Sequence, residues 1–241
     1  MDDVAIYIPA KGRSTGIADK NLAKVGGRPL FLWSIECGLS LVGPRQIFVS
    51  TDSDAIAHGA AELGATVLAR PRELAADDAT VAQCLLHDLP AVEHAVGADS
   101  IIAVLMPTSP FRRPEAMRDA IRHFRNTPDA RRMVAVQPFP APITFALRLD
   151  DETQKLTAVE AMATLHNSSR RQQHETAYYP NGSFYLVRTS TYRDDPRFFV
   201  EGATLGFRSD RISSIDIDEH DDLELARRLA MTFDGKSNAD E

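Results

Sequence analysis

The 241-residue chain is 44% hydrophobic and 25% charged, which suits one substantial core, and no apolar run approaches the length that spans a membrane. Its 34 acidic and 27 basic side chains give a net charge of -7, a balance that argues against nucleic acid, whose phosphates select basic faces. Cys37 and Cys84 read as buried free thiols, the histidines have no metal-ligand spacing, and the acidic start Met1-Asp2-Asp3-Val4 is unlike a signal peptide, so the expectation is a cytoplasmic enzyme or binding protein.

In chain order, Val4 to Pro9 is a short apolar run compatible with a buried parallel strand. A loop rich in Gly and Lys follows. Apolar residues then recur at helical spacing from Leu30 to Leu41, behind Pro29. Gln46 to Ser50 reads as a second strand, ending in Thr51-Asp52. Ser53 to Leu63 reads as a helix, with a serine at its N-cap and Gly64 closing it. Thr66 to Leu68 is a third strand, Ala79 to Val96 a helix, and Ile101 to Met106 a nearly unbroken apolar strand expected at the centre of the sheet. Pro114 to Phe124 is a helix opened by proline, and Met133 to Gln137 another strand.

The rhythm breaks between Pro138 and Pro180, where Pro138, Pro140 and Pro142 alternate and the chain turns polar through Asp150-Asp151-Glu152 and Ser168 to Gln173. This stretch reads as an excursion from the core. Strand character returns at Ser183 to Val187 and near Ile212 to Ile217, Leu223 to Phe233 is a last amphipathic helix, and residues 234–241 read as a frayed tail. The prediction is therefore α/β: a core of residues 1–137 and 181–233, interrupted by an arm at 138–180. Strands and helices that alternate this way build a doubly wound sheet, with ligands at the carboxyl ends of the strands.

Four groups of residues at such strand ends carry chemistry. In the first loop, Gly12 and Gly16 allow backbone amides to approach an anion, Lys11, Arg13 and Lys20 supply positive charge, and Ser14 supplies a hydrogen-bond donor. The segment is neither a Walker A loop nor a Gly-x-Gly-x-x-Gly fingerprint, and a solvated surface loop is the plain alternative. In Ser214-Ile215-Asp216-Ile217-Asp218, a strand would turn Ile215 and Ile217 to the core and both carboxylates to one surface, where they suit magnesium together with phosphate oxygens. A strand end with Asp218 capping the next helix is the alternative. Pro107-Thr108-Ser109-Pro110-Phe111-Arg112-Arg113 is a rigid turn whose arginines could reach a ligand or stay solvated, and Pro180-Asn181-Gly182 is a turn ahead of a strand. His58, His87 and His123 sit in helical patterns and read as surface residues.

Taken together, Ile8 to Asn21, Val49 to Asp52, Arg70 to Ala75 with Asp77, Pro107 to Arg112, and Asn181-Gly182 with Ser214 to Asp218 resemble the acylneuraminate cytidylyltransferase family in order and spacing, from about Val4 to Phe233. The resemblance implies a Rossmann-like, mixed but mostly parallel sheet of the nucleotide-diphospho-sugar transferase type, with a small inserted dimerisation arm. It implies that CTP is joined to a small acidic acceptor, a nonulosonic or related sugar acid, with release of pyrophosphate and with magnesium as cofactor. Ala10, Lys11, Gly12, Arg13, Ser14, Asn21, Arg70 and Asp77 would bind the nucleotide. Lys20, Asp216 and Asp218 would be catalytic, and the two aspartates would hold the metal. Thr108, Ser109, Arg112, Arg171 and Asn181 would face the acceptor, with Arg171 on the arm of a homodimer.

The chain departs from that pattern mainly on the acceptor side. Lys11 and Thr15 stand where family members carry Arg and Lys, Met106 where Gln is usual, Tyr179 where a basic residue is common, and Ile143 and Thr144 where a lysine can meet the acceptor carboxylate. The expectation is an acceptor other than ordinary sialic acid. Transfer to a phosphonate, use of another nucleotide with a sugar phosphate, and a nucleotide-binding scaffold of reduced activity stay open.

Overall fold

A computed structural model describes residues 1–159 and 175–233. Seven strands form one sheet in the order β11-β7-β10-β6-β1-β4-β5. β1 (Val4–Pro9) lies between β4 (Ile47–Thr51) and β6 (Ile101–Leu105), parallel to both, and β5 (Thr66–Ala69) extends the parallel set beyond β4. β6 is the middle strand, as its unbroken apolar run implies. On its other side β10 (Tyr178–Arg188) runs antiparallel to β6 and to β7 (Arg132–Pro138), and β11 (Thr204–Arg208) pairs parallel with β7. β2 (Lys24–Val25) and β3 (Arg28–Pro29) form a separate small ribbon.

Successive side chains of a strand point to opposite faces. Val4, Ile6 and Ile8 of β1 therefore pack on one side with α1 (Leu30–Leu39), α2 (Asp54–Glu62) and α5 (Pro114–Arg125). Ala5 and Tyr7 pack on the other side with α4 (Val81–Val96) and α6 (Thr189–Asp194). Both faces are covered, which is why the central strands read as continuous apolar runs. A smaller cluster of Ile17, Trp33, Phe111 and Ile217 ties the first loop to α7 (His220–Ala230). Cys37 and Cys84 are buried and free, and His58 and His123 are exposed.

Several segments differ from the sequence prediction. Residues 212–217 form no strand. Asp210 accepts hydrogen bonds from the Ile212 and Ser213 amides and from Ser213 Oγ, which closes a turn where the alternation of isoleucines reads as a strand. The last strand is instead β11, a half-exposed edge strand. Pro180-Asn181-Gly182 lies within β10, at an irregularity in its pairing with β7, and not ahead of the strand. α3 (Arg72–Ala75) is a further short helix. The excursion leaves the sheet after Pro138 and returns at Tyr178. Its described part holds an antiparallel ribbon of β8 (Leu147–Leu149) and β9 (Leu156–Ala158). The tail at 234–241 lies outside the described residues.

Candidate active site

The first loop leaves the carboxyl end of β1 and is pinned on both sides. The Ala10 amide donates to the Ser50 carbonyl at 2.9 Å, and the Gly12 amide donates to Asp52 Oδ1 at 2.7 Å, which ties the loop to the end of β4. Asn21 Nδ2 donates to the Lys11 carbonyl at 2.8 Å. On the far side a Cβ on Gly16 would lie 2.7 Å from the Asp218 carbonyl oxygen, so only glycine fits there. Lys20 Nζ, on a side chain mostly withdrawn from solvent, meets Asp218 Oδ1 at 2.9 Å.

The aspartates arrive by an extended segment that is not part of the sheet. The Ile217 amide donates to the Thr108 carbonyl at 2.9 Å, and the buried Ile217 side chain anchors the segment. Behind it, Asn181 Nδ2 donates to Ser214 Oγ at 2.8 Å, and Ser214 Oγ donates to the Asp210 carbonyl at 2.6 Å. Asp222 Oδ2 accepts from the Asp218 and Glu219 amides. Glu219, and not Asp218, is therefore the N-cap of α7, which leaves the Asp218 carboxylate exposed to the cleft. Asp216 is half-buried. Burial raises its pKa above the usual carboxylate value, a hydrogen bond with Thr108 opposes this, and neighbouring Asp218 adds to the rise.

These elements enclose a cleft of about 280 Å³, walled by Lys11, Ser14, Lys20, Asn21, Arg70, Thr108, Asp216 and Asp218. Sequence reasoning nominates each of them. An adjoining groove of about 750 Å³ holds Arg13, Asp52 and Arg72 and shares Arg70 with the cleft. Asp77 sits at the rim, where its Oδ1 accepts from Lys11 Nζ at 2.8 Å.

Other nominated residues support the site from behind. Arg112 is a correction: it is buried and donates to the Met106 and Ser109 carbonyls and to Ser34 Oγ, so it braces the turn after β6 and has no free face for an acceptor. Burial pulls its pKa down to about 10, which leaves it charged at neutral pH. Ser109 and Asn181 are likewise buried, beneath the turn and behind Asp216. Arg171 lies outside the described residues. The apolar wall formed by Val81 and Cys84 of α4 was not foreseen, because an amphipathic helix does not announce which of its residues meets a ligand.

Gly182, expected from the sequence as part of a turn, packs against the Asp216 carboxylate. Its φ is +73°, and a Cβ there would lie 2.6 Å from Asp216 Oδ2. The Asn-Gly dipeptide, suited to positive φ, is the one signal that pointed to it. Gly182→Ala is expected to displace Asp216, cutting kcat on the order of 10²-fold, while the positive φ costs ~1–2 kcal/mol of stability. Steady-state rates and a thermal melt on the same preparation check both effects.

The donor set can be tested against a divalent cation. Asp216 Oδ1 is buried with no hydrogen-bond partner, an unusual condition for a carboxylate oxygen. It stands beside the exposed carboxylate of Asp218. Among the described residues no cluster of three or more His, Cys, Asp or Glu could hold a metal. A cation here would draw its other ligands from phosphate oxygens and water, which is the ordinary habit of magnesium. The residues fit such an ion.

Comparison with known proteins identifies the family and the fold. A sequence model of the family described as cytidylyltransferase matches residues 5–238. The chain is 30% identical over 224 residues to an N-acylneuraminate cytidylyltransferase of Escherichia coli, covering 92% of this chain and 51% of that protein. It spans about half the length of the N-acylneuraminate cytidylyltransferases that it matches. It is also 30% identical over 228 residues to a CMP-N,N'-diacetyllegionaminic acid synthase of Legionella pneumophila, covering 94% of this chain and 95% of that one. Among solved structures, a CMP-2-keto-3-deoxy-manno-octonic acid synthetase complexed with CTP superposes with a TM-score of 0.66 at 17% identity, over 95% of this chain and 98% of that one, which shows the shared fold. By the match of that family model over nearly the whole chain and by these relatives, this chain belongs to the cytidylyltransferase family.

Proposed function

We propose that this protein transfers a cytidylyl group from CTP to a small acidic acceptor, a nonulosonic or related sugar acid, and releases pyrophosphate. The observation that carries the reading is the 2.9 Å ion pair between Lys20 and Asp218, which joins the anion-binding loop to the paired carboxylates in one cleft. The names of the relatives, which specify N-acylneuraminate and N,N'-diacetyllegionaminic acid, support the acceptor class.

In this reading Lys11, Lys20 and Ser14 hold the triphosphate with the loop amides, and Asn21 fixes the loop through the Lys11 carbonyl. Arg70 lies along the nucleotide. Asp216 and Asp218 would hold magnesium, which would neutralise charge on the phosphates when bound. Thr108 keeps Asp216 oriented. The acceptor hydroxyl attacks the α-phosphorus in line, and the chain contributes positioning and charge. Pyrophosphate release measured with each of the four nucleoside triphosphates, magnesium and a mixture of nonulosonic acids tests the nucleotide assignment. CTP alone is expected to support turnover, and equal turnover with GTP or ATP would contradict it.

Ordinary N-acetylneuraminate is not the preferred acceptor in this reading. Met106 brings a thioether to the cleft wall, and Tyr179 is packed against Phe139 with ring centroids 4.7 Å apart, so neither offers a charge to a polar acceptor. Turnover of N-acetylneuraminate at a rate matching the best acid tested would contradict this part.

The working form proposed is a homodimer. Leu149 is opposite Leu156 in the arm ribbon and Leu147 opposite Ala158, so these side chains share one face. Leu149 and Leu156 are 52% and 60% exposed. Among the described residues this apolar face is exposed, a condition unfavourable to a two-stranded ribbon in water, and a second copy would supply cover of the same character. The double substitution Leu149→Asp with Leu156→Asp is expected to shift the protein to monomer in analytical ultracentrifugation. An unchanged mass would count against the arm as the interface.

A further inference from the structure

The peptide unit between Lys11 and Gly12 is held at both of its polar ends. Its carbonyl, on Lys11, accepts from Asn21 Nδ2 at 2.8 Å, and its N–H, on Gly12, donates to Asp52 Oδ1 at 2.7 Å. Asn21 is buried and forms part of the cleft wall. Asp52 follows β4 directly and stands in the adjoining groove. The backbone on either side of Asp52 is itself fixed. The Thr51 carbonyl accepts from the Arg70 amide at 2.9 Å, Thr51 Oγ1 accepts from the Ser53 amide at 3.1 Å, and the Ser53 carbonyl accepts from the Ala57 amide at the start of α2.

A peptide plane beside a glycine turns over easily, because glycine takes positive φ as readily as negative. Turning it exchanges the directions of N–H and C=O while the flanking Cα atoms move little. Glycine is nonetheless needed here: a Cβ on Gly12 would lie 3.0 Å from Ser53 Cβ and 3.6 Å from Asp52 Oδ1. The residue that lets the loop close on Asp52 also leaves the plane free to turn, so the orientation must come from its partners. With the plane reversed, the Lys11 carbonyl would meet the Asp52 carboxylate, acceptor against acceptor. Asn21 can turn its amide and offer oxygen in place of nitrogen, but a carboxylate has acceptors only. Asp52 is therefore the end that fixes the direction.

We infer that Asp52 is a positioning residue of the triphosphate loop, holding the Lys11–Gly12 peptide in the one orientation that sends Lys11 into the cleft and Arg13 into the groove. The inference rests on the reading of this loop as the triphosphate site. A negative charge beside a site for an anion works against binding by itself. The order it imposes offsets that, because a loop already fixed in one arrangement loses less freedom when the ligand arrives.

The test compares two variants that both remove the charge. Asp52→Asn keeps an oxygen that can accept from Gly12, and Asp52→Ala keeps none. Asp52 is exposed, so both are expected to fold, which a thermal melt checks. Titration calorimetry with magnesium and no acceptor gives the affinity for CTP and for CMP, which lacks the β- and γ-phosphates. Asp52→Ala is expected to bind CTP about fivefold to tenfold more weakly than Asp52→Asn, the value of one well-made hydrogen bond. Asparagine can also donate to a reversed plane, so Asp52→Asn is expected to stay within about twofold of the wild type, the loss when half the molecules hold the competent orientation. CMP is expected to bind both variants equally. Equal CTP affinity in the two variants would overturn the inference. So would a loss in Asp52→Ala as large for CMP as for CTP, which would mark a general structural role. Wild-type protein that binds CTP no more tightly than CMP would instead overturn the reading of the loop as the triphosphate site, and the inference with it.

Discussion

Asp216→Asn is expected to lower kcat on the order of 10³-fold, comparable to removing a principal electrostatic group from an active site, without lowering the melting temperature of the metal-free protein. The two halves of that result come from one observation. Asp216 carries a buried oxygen with no partner, and burial raises its pKa. A carboxylate whose pKa is higher folded than unfolded binds more protons in the folded state, so it reduces stability as pH rises through the carboxylate range. At neutral pH the charged group is a liability to the fold, and asparagine removes the charge at nearly the same shape. Magnesium should reverse the order. It should raise the melting temperature of the wild type, because it binds the folded state alone, and leave Asp216→Asn unmoved. Asp218→Ala should match the loss of activity, and since Asp218 is exposed, its melting temperature should stay near that of the wild type. A magnesium titration of rate and of thermal midpoint on the three proteins checks this. Full activity in Asp218→Ala would remove the carboxylate pair from the chemistry.

Lys20→Met is expected to reduce kcat/KM for CTP by roughly 10²–10³-fold. The lysine is tucked into the cleft and held at 2.9 Å from Asp218, so its charge is already oriented where phosphate charge would develop. Methionine keeps the apolar stem and removes only the ammonium. Lys11 differs in environment: it pairs with Asp77 at the cleft rim. Lys11→Met should therefore mainly raise KM for CTP and change kcat little, and the separate readings of kcat and KM distinguish the two lysines.

Much of the cleft's lining is legible in the sequence. Val4–Pro9 and Ile101–Leu105 are continuous apolar runs because both faces of the sheet are covered, and the loop after the first strand shows its cations and glycines openly. The carboxylate pair was legible as residues but not as geometry. Ile215 and Ile217 alternate like a strand, whereas Asp210 folds the preceding backbone into a turn and the segment hangs from the Thr108 carbonyl. Both readings bring Asp216 and Asp218 to the cleft. β11 escaped because it is a half-exposed edge strand with Gly206 inside, and its pattern is weak. Arg112 could not be placed from sequence. A solvated arginine and one that braces three buried acceptors look alike until the turn after β6 is built.

The most direct measurement of the central claim is mass spectrometry of the nucleotide product, with the full chain, CTP, magnesium and a panel of nonulosonic acids, Kdo-like acids, phosphonates and sugar phosphates. The expected result is a CMP-linked acid formed in step with pyrophosphate from a nonulosonic or related sugar acid, and absent in Asp216→Asn. A nucleotide product formed only with sugar phosphates, or none from any acid while CTP still binds, would contradict it.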